Sequence, residues 1–121
     1  MKECDICGRP NSELHHIIFR SECKALEHCK ANFKYLCAEH HRGTYSPHGK
    51  HSETNKQYKL EFQQWLESVF VNSLYSPGEV QKILNISVSS TEKLLKAVPH
   101  KCYLYAKEDI LRACMGGMII D

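Results

Sequence analysis

Residues 36–41 read Leu36-Cys37-Ala38-Glu39-His40-His41: a thiol, two spacer residues, an imidazole, and at once a second imidazole. A matching pair lies near the N-terminus in Cys4-Asp5-Ile6-Cys7-Gly8. Cys4-x2-Cys7 and Cys37-x2-His40 are separated by 29 residues. Zinc takes four soft or borderline donors in a tetrahedron, and a two-residue spacer lets one tight turn present both donors of a pair. Buried or redox-active thiols are the competing reading of any single pair. Two pairs, with Gly8 behind the first, favour a structural Zn²⁺ held by Cys4, Cys7, Cys37 and His40. Cys23 and Cys29 have a five-residue gap, a poorer knuckle, and are not expected to be ligands.

Between the pairs runs Leu14-His15-His16-Ile17-Ile18-Phe19, two adjacent imidazoles before an apolar, strand-like run. Neighbours on a strand point to opposite faces, yet at a strand end they can serve one site in two roles. If His40 completes the zinc, His41 is left over. His48 follows in Ser46-Pro47-His48-Gly49. Adjacent histidines in isolation are usually surface residues. Several imidazoles in so small a stretch suggest a second divalent ion, in a site kept partly open as in hydrolytic enzymes.

Composition divides the chain the same way. Five of seven Cys lie in residues 4–37, and seven of eight His in residues 15–51. That segment has few long aliphatics, so a metal staple is a natural remedy for its small core. The whole chain, 121 residues with 42% hydrophobic and 25% charged, has the balance of a folded globular protein. No apolar run approaches the roughly 20 residues that span a bilayer, and the first ten residues carry no signal-peptide core. A reducing compartment, where clustered Cys reads as metal binding, is therefore expected. A net charge of +2 neither requires nor excludes nucleic acid.

Downstream, residues 53–74 predict an amphipathic helix, with Tyr58, Phe62, Trp65, Leu66, Val69 and Phe70 at helical spacing. This stripe reads first as a core face and second as a partner-binding face. Ser76-Pro77-Gly78-Glu79 predicts a capped helix start, followed by Val80, Ile83 and Leu84 on one face. Asn85-Ile86-Ser87 breaks that helix. A second helix is expected over about 88–98, a strand-like run over 101–105, and a last helix from Lys107 to the Gly116-Gly117 stop.

The ordered series Cys4-x2-Cys7, Leu14-His15-His16-Ile17, Asn32, Leu36-Cys37-x2-His40-His41 resembles the HNH endonucleases, in the zinc-stapled branch of the ββα-metal nucleases, over roughly residues 4–50. The resemblance implies a hairpin and helix holding one catalytic divalent cation (Mg²⁺, Mn²⁺, Ni²⁺ or Zn²⁺) beside the structural zinc. It implies His15 and His41 as ligands of that cation, His16 as general base, and Asn32 as the fastener of the loop that aims His16. His48 is a third candidate ligand, although Gly43 and Pro47 should interrupt a helix there. Arg20 and Arg42 are candidate phosphate contacts.

Residues 75–117 resemble an excisionase-like winged helix-turn-helix. That likeness implies that the helix after Ser87 enters the major groove, with residues 101–105 as the wing. Ser89, Ser90, Lys93, Lys96 and Lys101 would then reach phosphates or base edges. Against it, residues 52–121 carry eight basic and eight acidic side chains, with no Arg on the candidate recognition helix. Packing on the first lobe or dimerisation is the competing role.

The expected fold is a small α+β chain. It comprises a zinc-stapled HNH lobe at 1–51, a connecting amphipathic helix at 52–74, and a winged helix-turn-helix-like lobe at 75–121. The expected activity is metal-dependent DNA hydrolysis, with phage or mobile-element association and a place in the cytoplasm of a bacterial host. DNA is the expected partner, no membrane is, and a homodimer or contacts with phage or recombination proteins stay open. The alternative is a non-catalytic, zinc-stabilised DNA-binding regulator of the excision-factor or repressor type.

Overall fold

The computed structural model describes residues 2–42 and 53–120. Within them the chain is a small α+β fold with two two-stranded antiparallel sheets. Strand β1 (Glu13–His16) pairs with β2 (Phe33–Leu36), with His15 opposite Lys34 and His16 opposite Phe33. Helix α1 (Ala38–Arg42) follows one residue after β2. The expected strand-like run through Phe19 stops at His16. Beyond it Ile17 still donates to the Asn32 carbonyl, but Ile18 turns inward onto the Asn32 side chain, and the ladder ends. The long connection between the strands contains two short 3₁₀ turns, Lys24–Leu26 and Lys30–Asn32.

Helix α2 (Glu53–Val69) buries Tyr58, Phe62 and Leu66, the predicted stripe, with Trp65 stacked on Phe62 at 5.7 Å between ring centres. It ends before the expected residue 74. Leu74–Tyr75 (β3) instead pairs with Tyr105–Ala106 (β4), since a backbone that enters a ladder cannot complete helical hydrogen bonds. Gln63 is also buried on α2 and exchanges two 2.8 Å hydrogen bonds with the backbone of Ile120, which pins the C-terminal tail.

Helix α3 (Pro77–Leu84) starts as the sequence predicts. Ser76 and Glu79 form a reciprocal capping box, and Pro77 takes the first turn. Asn85, at φ +52°, ends the helix in the left-handed region. Helix α4 (Val88–Leu95) is capped by Ser87 and stops short of the expected residue 98. Residues 101–104 form a tight turn rather than a strand. Lys101 and Leu104 exchange both backbone bonds, and Cys102 and Tyr103 both sit at positive φ. Helix α5 (Lys107–Cys114) places Glu108 and Asp109 in its first turn and runs into Gly116 and Gly117, both at positive φ. A Cβ on Gly116 would meet the Glu22 Cβ at 2.9 Å, so its lack of a side chain permits a close approach to the N-terminal part.

One continuous core joins the elements. Ile18, Leu26 and Leu36 from the first part, Leu66 and Phe70 from the middle, and Val80, Leu84 and Ile110 from the last are all almost completely buried. Each such side chain contributes roughly 1.5–3 kcal/mol by leaving water. Among the described residues, no helix is long and apolar enough to cross a membrane.

Candidate metal centre and histidine cleft

Cys4, Cys7, Cys37 and His40 converge, with all four donor atoms within 4.8 Å of one another. The Cys7 and Cys37 sulfurs are 3.8 Å apart, and His40 Nδ1 lies 3.3 Å from Cys37 Sγ and 3.5 Å from Cys4 Sγ. Four donors about 2.3 Å from a zinc ion stand about 3.8 Å apart along a tetrahedral edge, so the spacings fit. Local backbone builds each half. Gly8, at φ +74°, turns the chain back so that its N–H reaches the Cys4 carbonyl, and the Ile6 N–H points at Cys4 Sγ. Cys37 is the one residue between β2 and α1, and its carbonyl accepts from the His41 N–H.

Electrostatics agree with a cation site. Burial disfavours the Cys4 thiolate. The backbone N–H groups of Cys37, Cys7 and Ile6 and the His40 ring outweigh that effect and bring its pKa from 9.0 to about 6. Cys7 moves the other way. The Arg9 backbone favours its thiolate, but burial and the Cys4 and Cys37 sulfurs together push its pKa up. Thiols crowded in this way repel one another once ionised, and a bound cation removes the repulsion. This Cys3His cluster could hold a metal ion such as zinc. Cys23, Cys29 and Cys114 take no part in it. Cys29 and Cys114 are buried, and burial raises the pKa of all three thiols.

The second site lies on the other side of α1. His15 and His16 occupy opposite faces of β1, as strand geometry requires. His15 is 1% exposed and is ringed by Phe19, His41 and Tyr58, with centroids 5.9, 5.1 and 6.2 Å away. Tyr58 comes from α2, which therefore backs the site. His41 sits beside His40 on α1, turned about 100° away from the cysteines. Its Nδ1 is 2.9 Å from Glu13 Oε1, and Arg42 pairs with the other oxygen of the same carboxylate. A neutral His41 that donates its Nδ1–H to Glu13 carries its lone pair on Nε2. The His41 hydrogen bond, opposed by burial and helped by Arg42, holds the Glu13 carboxyl below its ordinary pKa.

His16 is half-buried against Phe33, and its Nε2 is 2.8 Å from the Glu27 carbonyl. A carbonyl only accepts, so Nε2 carries a proton, and in the neutral ring Nδ1 carries the lone pair. Asn32 is fully buried. Its Oδ1 accepts from the Ile18 N–H, and its Nδ2 donates to the carbonyls of Ile18 and Leu26. Leu14, His16, Phe19, Arg20, Ser21 and His41 line a cleft of about 490 Å³.

Of the residues singled out in the sequence, the cleft thus gathers His16, His41 and Arg20, with His15 directly behind His41. Arg42 is engaged with Glu13, and His48 lies outside the described residues. Among the described residues no second group of three metal-type ligands forms. Glu13 escaped the sequence reading. The signal was its spacing: residues i and i+2 of a strand share a face, which puts Glu13 on the His15 side.

The nucleic-acid candidates sit elsewhere. Ser89, Lys93, Lys96 and Lys101 are exposed, whereas the Ser90 hydroxyl accepts from Ser87 within the α4 cap. Lys96 borders a second cleft of about 490 Å³, between α3, α4 and the 101–104 turn, which also holds His100, Tyr103 and Tyr105. Compared with family models, curated proteins and solved structures, the chain matches none.

Proposed function

We propose that this protein is a metal-dependent endonuclease of the HNH type, hydrolysing DNA phosphodiesters in the cleft of His16, His41 and Arg20, with the C-terminal helices as the docking element. The single observation that carries the reading is the state of His16. A half-buried imidazole is fixed at Nε2 by a backbone carbonyl and lines one cleft with a second imidazole oriented by a carboxylate. That combination suits proton abstraction from water next to a cation site.

In this reading His16 Nδ1 takes the proton of the attacking water. His15 and His41 would hold a divalent cation, which when bound supplies Lewis-acid charge to the scissile phosphate and its departing oxygen. Glu13 keeps the His41 ring oriented. Arg20 offers a guanidinium to a phosphate oxygen. Cys4, Cys7, Cys37 and His40 would hold zinc with a structural role, tying the chain before β1 to the β2–α1 junction. DNA as the partner, and a winged helix-turn-helix role for residues 75–117, belong to the same proposal.

The test is nicking of supercoiled plasmid across a panel of divalent ions, with His16→Ala as control. Ion-dependent nicking by the wild type that is absent in a zinc-loaded, folded His16→Ala protein supports the reading. Wild-type rates in His16→Ala, or no nicking with any ion, overturn it. The second of these outcomes, combined with salt-dependent DNA binding, leaves the zinc-stabilised regulator.

A further inference from the structure

In the proposed function the C-terminal helices have one task, docking. Their packing points to a second one. The carbonyl that holds His16 belongs to Glu27, the residue that closes the Lys24–Leu26 turn with its own N–H on the Lys24 carbonyl. This turn is not supported by the hairpin alone. From inside, Asn32 holds the Leu26 carbonyl. From outside, α4 lies along the turn, burying Thr91, Leu94 and Leu95 on one side and Ala25 and Leu26 on the other. Just past the turn, the buried Cys29 thiol donates to the Leu84 carbonyl at the end of α3, 3.3 Å away. At the near end, Gly116 allows the chain after α5 to touch Glu22.

We infer that helices α3 and α4 are a positioning element for His16: their seam with residues 24–29 fixes the Glu27 carbonyl and thereby the ring orientation and tautomer of the histidine. The inference rests on the nuclease reading only for its effect on rate. A backbone carbonyl in a connection of this length holds one position only if packing restricts the chain on both sides, since an unsupported turn samples many arrangements. Misplacing a catalytic group by about 1 Å can cost on the order of 100-fold in rate. The C-terminal part would then be required for chemistry on any DNA, not only for affinity.

The experiment uses the full chain with two seam variants, Leu26→Val and Cys29→Ala, and one control, Gln63→Ala. Gln63 is buried on α2 and bonded to the backbone of Ile120, so its truncation frees the C-terminal tail and lies outside α3, α4 and residues 24–29. Ring ¹⁵N spectra of zinc-loaded protein read the His16 tautomer directly. Plasmid nicking gives kcat and KM. In the seam variants the Nε2–H form should lose its dominance and kcat should fall about tenfold with KM within about twofold. Gln63→Ala should keep the wild-type tautomer and kcat despite a loss of thermal stability. A wild-type tautomer in whichever seam variants fold, or a Gln63→Ala protein that changes alongside them, overturns the inference. If no protein nicks DNA, the nuclease reading fails while the spectra still decide the positioning claim.

Discussion

Glu13 and His41 stand 28 residues apart in sequence and 2.9 Å apart in space, carboxylate oxygen to Nδ1, across the junction between β1 and α1. The bond fixes which edge of the His41 ring meets His15. Carboxylates behind ligating histidines raise ligand basicity and fix ring orientation, and their loss commonly costs 10–100-fold in affinity or activity. Glu13→Ala should therefore weaken divalent-ion-dependent nicking by roughly 10–100-fold while leaving zinc content unchanged. Metal titration of the nicking rate separates this outcome from a fold defect. An unchanged titration would remove Glu13 from the site.

The sign of the Glu13 contribution with pH follows from its depressed pKa. His41 is the main cause of the depression, and the ordinary value is 4.5. A carboxyl held below its unfolded value stabilises the fold fully above 4.5 and loses that contribution as pH falls through the lower folded value. Thermal melts should thus show a wild-type advantage over Glu13→Ala that is flat from neutrality down to about pH 5 and shrinks below it. An advantage that disappears already near pH 6 would point to a different partner.

Asn32 satisfies three backbone groups in a site with no water access of its own. Asn32→Ala leaves the Ile18 N–H and the Ile18 and Leu26 carbonyls buried without that partner. Each such loss costs about 1–3 kcal/mol, so urea unfolding should show at least about 2 kcal/mol of destabilisation. A loss under about 0.5 kcal/mol, the range of ordinary surface changes, would contradict the buried network.

Cys37 joins the two halves of the cysteine cluster, 3.8 Å from Cys7 and 3.3 Å from His40. Cys37→Ala should abolish stoichiometric zinc and lower the melting temperature by on the order of 10 °C, as a loss of a few kcal/mol does in a domain of this size. Chelation of the wild type should reproduce the effect reversibly. Full zinc occupancy in Cys37→Ala would show that the cluster is not the metal site.

Lys96 lines the cleft between α4 and the following turn, and Lys101 opens that turn; both are exposed. If this face docks on DNA, replacing either by Ala should reduce the slope of log affinity against log salt by about one, without changing zinc content. Slopes equal to wild type in both variants would move the docking surface elsewhere and favour a packing role for these helices.

Local chemistry alone carried much of this picture. The two-residue spacers of Cys4/Cys7 and Cys37/His40 announced the metal cluster, because ligand geometry depends on short-range turns. The capping box at Ser76–Glu79, the left-handed Asn85 and the glycine stop at 116–117 set helix ends through interactions within a few residues. Helix α2 was readable from its stripe, since burial of one face imposes helical periodicity.

What the chain order could not disclose were the long-range partners. The end of β1 at His16, the early end of α2 and the pairing of Leu74–Tyr75 with Tyr105–Ala106 depend on residues far away in sequence. So do Glu13 on His41, the Glu27 carbonyl on His16 and α4 against the turn beneath it. Spacing names the groups able to do chemistry. Only the folded chain fixes which nitrogen of each imidazole keeps its proton, because that depends on an acceptor brought in from another element.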